Sequence, residues 1–172
     1  MKCRVDAVPV LMRPTARRLG LLLALTLLVG CDHATKLAAK AGLEGHRARP
    51  LIHGVLDLRY VENTDVAFNL LRTMPETVRA PLLVVVGAVA GLFLLGLLLV
   101  KRGDLGGARV ALLFVTAGAL GNYLDRVGRG YVVDFIHVPH WPVFNVADAY
   151  VTVGVVVLAW YALKARHTPA TE

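Results

Sequence analysis

Cysteine is nearly absent from this chain of 172 residues. Cys3 and Cys31 lie on opposite sides of the first apolar run. A disulfide between them is implausible, and no Cys/His spacing fits a metal. Acids are outnumbered by bases, 12 Asp and Glu against 19 Lys and Arg, for a net charge of +7. These bases form no aromatic-interleaved patch, which argues against a nucleic-acid surface. Many flank apolar runs instead, where they read as topology charges. Internal repeats and low-complexity tracts are also missing. What is abundant is apolar: 56% of residues are hydrophobic, with a mean hydropathy of +0.61. Soluble domains run to roughly 45–50% apolar, so this composition points to a membrane.

Four apolar segments stand out. Leu19 to Cys31 extends through Ala39. Ala80 to Val100 carries no charge and is long enough to span, since about 20 residues cross a bilayer. Val110 to Leu124 is short, so a helix there must carry Asp125 and Arg126 near its end. Val143 to Leu163 spans only if it takes Asp148 with it. The expected spans are residues 19–39, 80–100, 109–127 and 144–164 of a single domain, with an outer loop at 41–79 and a disordered tail at 167–172. Lys and Arg cluster before the first span, between the second and third, and after the fourth. This places both termini in the cytoplasm, although the outer loop also carries arginines.

That loop has structure of its own. Val55 to Val61, VLDLRYV, alternates apolar and charged residues, the period of a half-buried strand. Asn63 to Asp65 is a turn signal, and Val66 to Leu71 fits a return strand. The expected fold class is an all-α polytopic membrane protein. It has four transmembrane helices and a small extracytoplasmic β-hairpin or cradle between helices 1 and 2.

The stretch LTLLVGCDHATK, residues 26 to 37, has two readings. Basic residues, an apolar core and Leu28-Val29-Gly30-Cys31 have the look of a lipoprotein cleavage site. A lipoprotein cut before Cys31 would keep three further spans, an odd architecture. A retained helix running to about Ala39 gives an even number of spans and is favoured.

Polar groups at membrane depth are costly and usually functional. Asp104 sits among Lys101, Arg102 and glycines as a solvated loop charge. Asp32, Asp125, Asp134 and Asp148 should instead gather at the outer face. Asp134 is set among Val132, Val133, Phe135 and Ile136, and desolvation there raises a carboxyl pKa. Asp134 and Asp148 lie close in sequence, on the same membrane face. Two adjoining carboxylates share a proton, so one can activate water while the other polarises a carbonyl. Asn63, Asn122 and Asn145 offer donors and acceptors for an extended peptide. Structural roles compete: Asp125 with Arg126 can end a helix, Asn145 or Asp148 can cap one, and Asp32 with Lys36 is an i,i+4 pair. On the residues alone, an intramembrane protease and a proton-coupled membrane carrier both remain open. A carrier should show repeats or broken paired helices, and neither is seen.

Five boxes occur in order: DHATK (Asp32 to Lys36), VENTDVAFNLL (Val61 to Leu71), GALGNYLDR (Gly118 to Arg126), VVDFI (Val132 to Ile136) and WPVFNVAD (Trp141 to Asp148). Together they make the chain resemble lipoprotein signal peptidase, also called signal peptidase II, from the first helix to the fourth. The resemblance implies a four-helix inner-membrane aspartic endopeptidase. Such an enzyme removes the signal peptide of diacylglyceryl-modified prolipoproteins, cutting just before the modified cysteine. By motif, the catalytic pair falls on Asp134 and Asp148. Asn63, Asn122, Arg126 and Asn145 match positions that contact substrate or the antibiotic globomycin. Asp32, Lys36 and Asp125 match positions that support the site. No metal or organic cofactor is implied. The implied partners are prolipoproteins, membrane lipid and globomycin-type inhibitors, with no nucleic acid. The implied state is a monomer with its active site near the extracytoplasmic face.

One residue departs from the pattern. Asp65 stands where the family commonly has glycine, in an NTG turn. Glycine tolerates a positive φ better than aspartate does. The added charge bears on substrate preference more than on catalysis. The alternative it leaves is a substrate-specialised or inactive paralogue.

Overall fold

The computed structural model describes residues 14–65, 71, 73–100 and 106–166. Four helices are long and apolar enough to cross a membrane: α1 (Pro14–Leu43), α2 (Glu76–Val100), α3 (Gly107–Arg129) and α4 (Val146–Arg166). Three strands, β1 (Arg49–Ile52), β2 (Leu56–Asn63) and β3 (Val132–His137), form an antiparallel sheet in the order β1-β2-β3. The expected membrane class is thus the observed one, with β structure between helices 1 and 2.

Hydropathy sorts the helices by their surroundings. α2 is the most apolar, with a mean hydropathy of 2.9, and its side chains other than Leu98 are exposed or half-buried. Leu98 is its buried contribution to the core. α3 is the least apolar, at 1.2, and the most buried. It packs against α1, α2 and α4, which shield it from lipid. A shielded helix can carry polar groups at membrane depth, and α3 carries Thr116, Asn122, Asp125 and Arg126. The membrane core unites Leu21 and Leu25 of α1, Leu98 of α2, and Leu112, Leu113 and Ala117 of α3. Leu27, Val85, Phe93, Val156 and Trp160 point outward, where lipid takes the place of water.

Without a hydrophobic drive between helices in lipid, close backbone approach supplies the packing. α3 and α4 meet through glycine. A Cβ on Gly118 would collide with the Ala147 carbonyl, and one on Gly154 would lie 2.6 Å from the Ala111 oxygen.

The sheet sits at one end of this bundle. The 30 residues of α1 extend about 45 Å, more than the ~30 Å of hydrocarbon. Its last turns continue to Leu43, where Ala39 and Leu43 pack on Val133 and Phe135 of β3, with Leu58 and Tyr60 of β2 beside them. The expected hairpin is present with a different partner. β2 covers most of the predicted strand, but it turns back onto β1 through Ile52–Val55. Gly54, with φ 73°, takes the left-handed position of that turn. Residues 66–70 of the expected return strand lie outside the described residues, as does Asp104.

The second neighbour of β2 is β3, with Val61 opposite Asp134 and Asn63 opposite Val132. Beyond β3 the chain reverses. Trp141 N donates to Val138 O across a turn in which His140 has φ 67°. Phe144 then pairs with Ile136 and leads into α4. This reversal returns the start of α4 to the strand that carries Asp134.

Candidate active site

Asp134 lies in β3 and is 3% exposed. Its Oδ2 accepts from Asn63 Nδ2 at 2.8 Å, and its Oδ1 accepts from Asn145 Nδ2 at 2.6 Å. Asp148 lies in the first turn of α4. Its Oδ1 accepts from Asn122 Nδ2 at 2.8 Å, and its Oδ2 from the backbone N–H of Asn145 at 3.1 Å. The Asp148 N–H donates in return to Asn145 Oδ1 at 3.0 Å. This is a reciprocal capping box, with Asn145 before the helix and Asp148 in its third position. The capping role foreseen for Asn145 and Asp148 is therefore real, and it also fixes a carboxylate. Asn145 touches both aspartates, so one asparagine sets their relative placement.

Behind the pair lies a buried ion cluster. Lys36 is fully buried. Its ammonium donates to Asp32 at 2.7 Å, Asp125 at 2.8 Å and Asn122 Oδ1 at 2.9 Å. These use all three of its N–H donors. Asp32 also accepts the Ala147 N–H at 2.9 Å, so a carboxylate from α1 sits at the positive end of α4. Arg129 reaches Asp125 at 3.1 Å. Because Lys36 holds Asn122 Oδ1, the Asn122 amide must turn its NH2 toward Asp148. The Asp32–Lys36 pair was expected along one helix; its reach to α3 joins α1, α3 and α4.

Burial pushes the Asp134 carboxyl up to about 6. The Asn63 hydrogen bond opposes this, the Asp148 charge adds to it, and Asn145 and Lys36 pull against it.

The pair opens onto a cavity of about 910 Å3. Asn63, Asn122, Arg126, Asp134 and Asp148 line it, with Trp141 and Phe144 supplying apolar wall. Asn145 is fully buried beside the pair. Among the described residues, no group of three or more His, Cys, Asp or Glu side chains is placed to hold a metal ion.

Asp65 is also in the cavity wall, 4% exposed. Its N–H donates to Asn63 Oδ1 at 2.9 Å, its carboxylate accepts the Leu71 N–H at 3.2 Å, and its carbonyl accepts from Arg126 at 2.9 Å. His140 is the non-glycine residue with positive φ among the described residues, so Asp65 carries no left-handed strain. Arg79, which approaches the Asp65 carboxylate at 3.8 Å and Thr64 Oγ1 at 3.2 Å, also lines the cavity. In the sequence Arg79 is one more arginine at the end of the outer loop. Its place before an uncharged span was the available signal.

Paired carboxylates walled into a cavity at one end of a four-span bundle are the arrangement that an aspartic peptidase of the membrane requires. The family model described as signal peptidase (SPase) II matches residues 24–164. A lipoprotein signal peptidase from Syntrophotalea carbinolica is 40% identical over 153 residues, covering 86% of this chain and 94% of its own. One from Geobacter metallireducens is 35% identical over 152 residues, covering 86% and 91%. Among solved structures, a bacterial membrane enzyme determined by the in meso method at 2.3 Å shares the fold. It has a TM-score of 0.76 at 24% identity, and the match covers 89% of this chain and 93% of that one. A second such enzyme, at 1.9 Å, gives 0.73 at 25% identity over 84% and 93%. The chain belongs to the signal peptidase II family. It is an aspartic-type peptidase of the bacterial membrane that removes signal peptides from prolipoproteins. The carrier alternative is not favoured.

Proposed function

We propose that Asp134 and Asp148 are the catalytic pair of this peptidase, acting on diacylglyceryl-modified prolipoproteins. The observation that carries the assignment is their joint fixation by Asn145 at the wall of one large cavity. The pair holds one proton between them. The ionised carboxylate takes a proton from water, and the resulting hydroxide attacks the scissile carbonyl carbon. The protonated carboxyl donates to the carbonyl oxygen as the tetrahedral intermediate forms. As that intermediate collapses, one of its two hydroxyls returns its proton to the pair, the C–N bond breaks, and the nitrogen takes a proton from the pair. The products are the signal peptide acid and the lipoprotein amine, and the pair is left with its single proton. Two linked carboxyls titrate as a unit, so the roles belong to the pair.

Asn63, Asn122 and Arg126 line the cavity and are assigned to substrate contact. Asn145 spends its amide on the two aspartates and Asn122, so its substrate role is exerted by aligning them. Asp32, Lys36 and Asp125 support the site from behind. The domain is a single unit with its helix ends near Arg17, Arg18 and Lys164 in the cytoplasm, following the positive-inside rule. The cavity and sheet then face outward. The lipid chains of the substrate stay in the bilayer, globomycin-type inhibitors enter the same cavity, and the monomer is the working form.

The test is cleavage of a diacylglyceryl-modified prolipoprotein by the purified chain in detergent. The native chain should cleave, and globomycin should block it. Asp134→Asn and Asp148→Asn should each abolish cleavage while remaining folded. A folded Asp148→Asn enzyme with native turnover would remove the assignment.

A further inference from the structure

The turn Asn63–Thr64–Asp65 connects the rim of the cavity to the catalytic pair. Asn63 faces both ways. Its Oδ1 accepts the Asp65 N–H, and that bond dictates that its Nδ2 points at Asp134. What keeps the turn in place is the buried side chain of Asp65. It accepts the Leu71 N–H and faces Arg79 of α2. Arg79 in turn bonds Thr64. We propose that Asp65 is a positioning residue whose carboxylate clasps the Asn63–Asp65 turn to Leu71 and to Arg79 of α2, and so holds the Asn63 amide on Asp134 and sets the protonation of the catalytic pair. This rests on the assignment of Asp134 and Asp148 given above.

The groups that face Asp134 are few. Asp148 of α4 favours its protonated form, whereas Lys36 of α1 favours the ionised one. Arg126 of α3 interacts with both aspartates. Lys36 is locked by Asp32 and Asp125, and Asp148 by its cap. Asn63 ends β2, and the turn orients its side-chain amide, whose bond stabilises the ionised carboxylate. Withdrawing it raises the proton affinity of Asp134. Arg126, held by the Asp65 carbonyl, acts in the same sense if it leaves with the loop. The clasp therefore links the placement of this turn to the pH at which the pair loses its shared proton.

The experiment compares pH profiles of kcat/KM for the native full-length chain and for Asp65→Ala, Asp65→Asn, Arg79→Met and Asn63→Ala, all in detergent with a diacylglyceryl-modified prolipoprotein. Asp65→Ala should lower kcat/KM and move its alkaline limb up by about half a unit. Asp65→Asn keeps an acceptor for Leu71 and loses the charge facing Arg79, so it should shift less, in the same direction. Arg79→Met should resemble Asp65→Asn, and Asn63→Ala should shift the limb furthest. Profiles of Asp65→Ala and Asp65→Asn superimposable on the native one would overturn the inference. Asp134→Asn is run alongside: if it still cleaves, the catalytic assignment itself fails, whatever Asp65 does.

Discussion

Replacing Lys36 by methionine tests the cluster that holds the site together. The ammonium is fully buried and sits within 2.9 Å of two carboxylates and one amide oxygen. Methionine fills much the same volume but leaves Asp32 and Asp125 without their shared cation. Removing one partner from a buried ionic group costs about 3–5 kcal/mol. For a chain of this size the melting temperature should fall by on the order of 10 °C, read by thermal unfolding in detergent micelles. Asp125 keeps Arg129 at 3.1 Å, whereas Asp32 keeps the neutral Ala147 N–H, with His33 3.7 Å from both carboxylates. Adding Asp32→Asn to the Lys36→Met variant should therefore restore more stability than adding Asp125→Asn. A loss below about 1 kcal/mol for Lys36→Met, or equal rescue by both asparagines, would refute the reasoning.

Other expectations follow from the same geometry. With Asp134 held up at about 6, the ligand-free pair sheds its last shared proton as pH rises through that value, so kcat/KM should fall on that side; a profile flat through it would contradict the shared proton. Asn145→Ala removes the capping box and the link between the aspartates, and turnover should fall about 100-fold, measured as kcat against a binding control. Gly118→Ala forces a methyl into the Ala147 carbonyl and should cost about 1–3 kcal/mol, whereas Gly128→Ala, with open space around it, should not destabilise in the same unfolding assay.

The spans were legible because hydropathy is a local property, and α2 announces itself by composition alone. The sheet was less legible. β1 is only four residues with every side chain exposed, so it carries no alternation to read. The turn at Gly54 was passed over in favour of the Asn63–Asp65 signal, which instead forms the cavity rim. VVDFI read as a connection around a buried acid. It is a strand, because pairing with β2 satisfies its backbone while both its faces are covered. The aspartate pair could be picked out from local desolvation and short separation. The reach of Lys36 to Asp125 could not, since it depends on how α1 and α3 pack. The same holds for Asp65, whose burial beside Arg79 is a product of tertiary placement.

The most direct measurement is the mass of the products when the native chain meets one prolipoprotein with and without its diacylglyceryl group. The account predicts a single cut, with the lipid-modified cysteine as the new N-terminus and the unmodified substrate left whole. A cut at another bond, or equal cleavage of the unmodified chain, would contradict it.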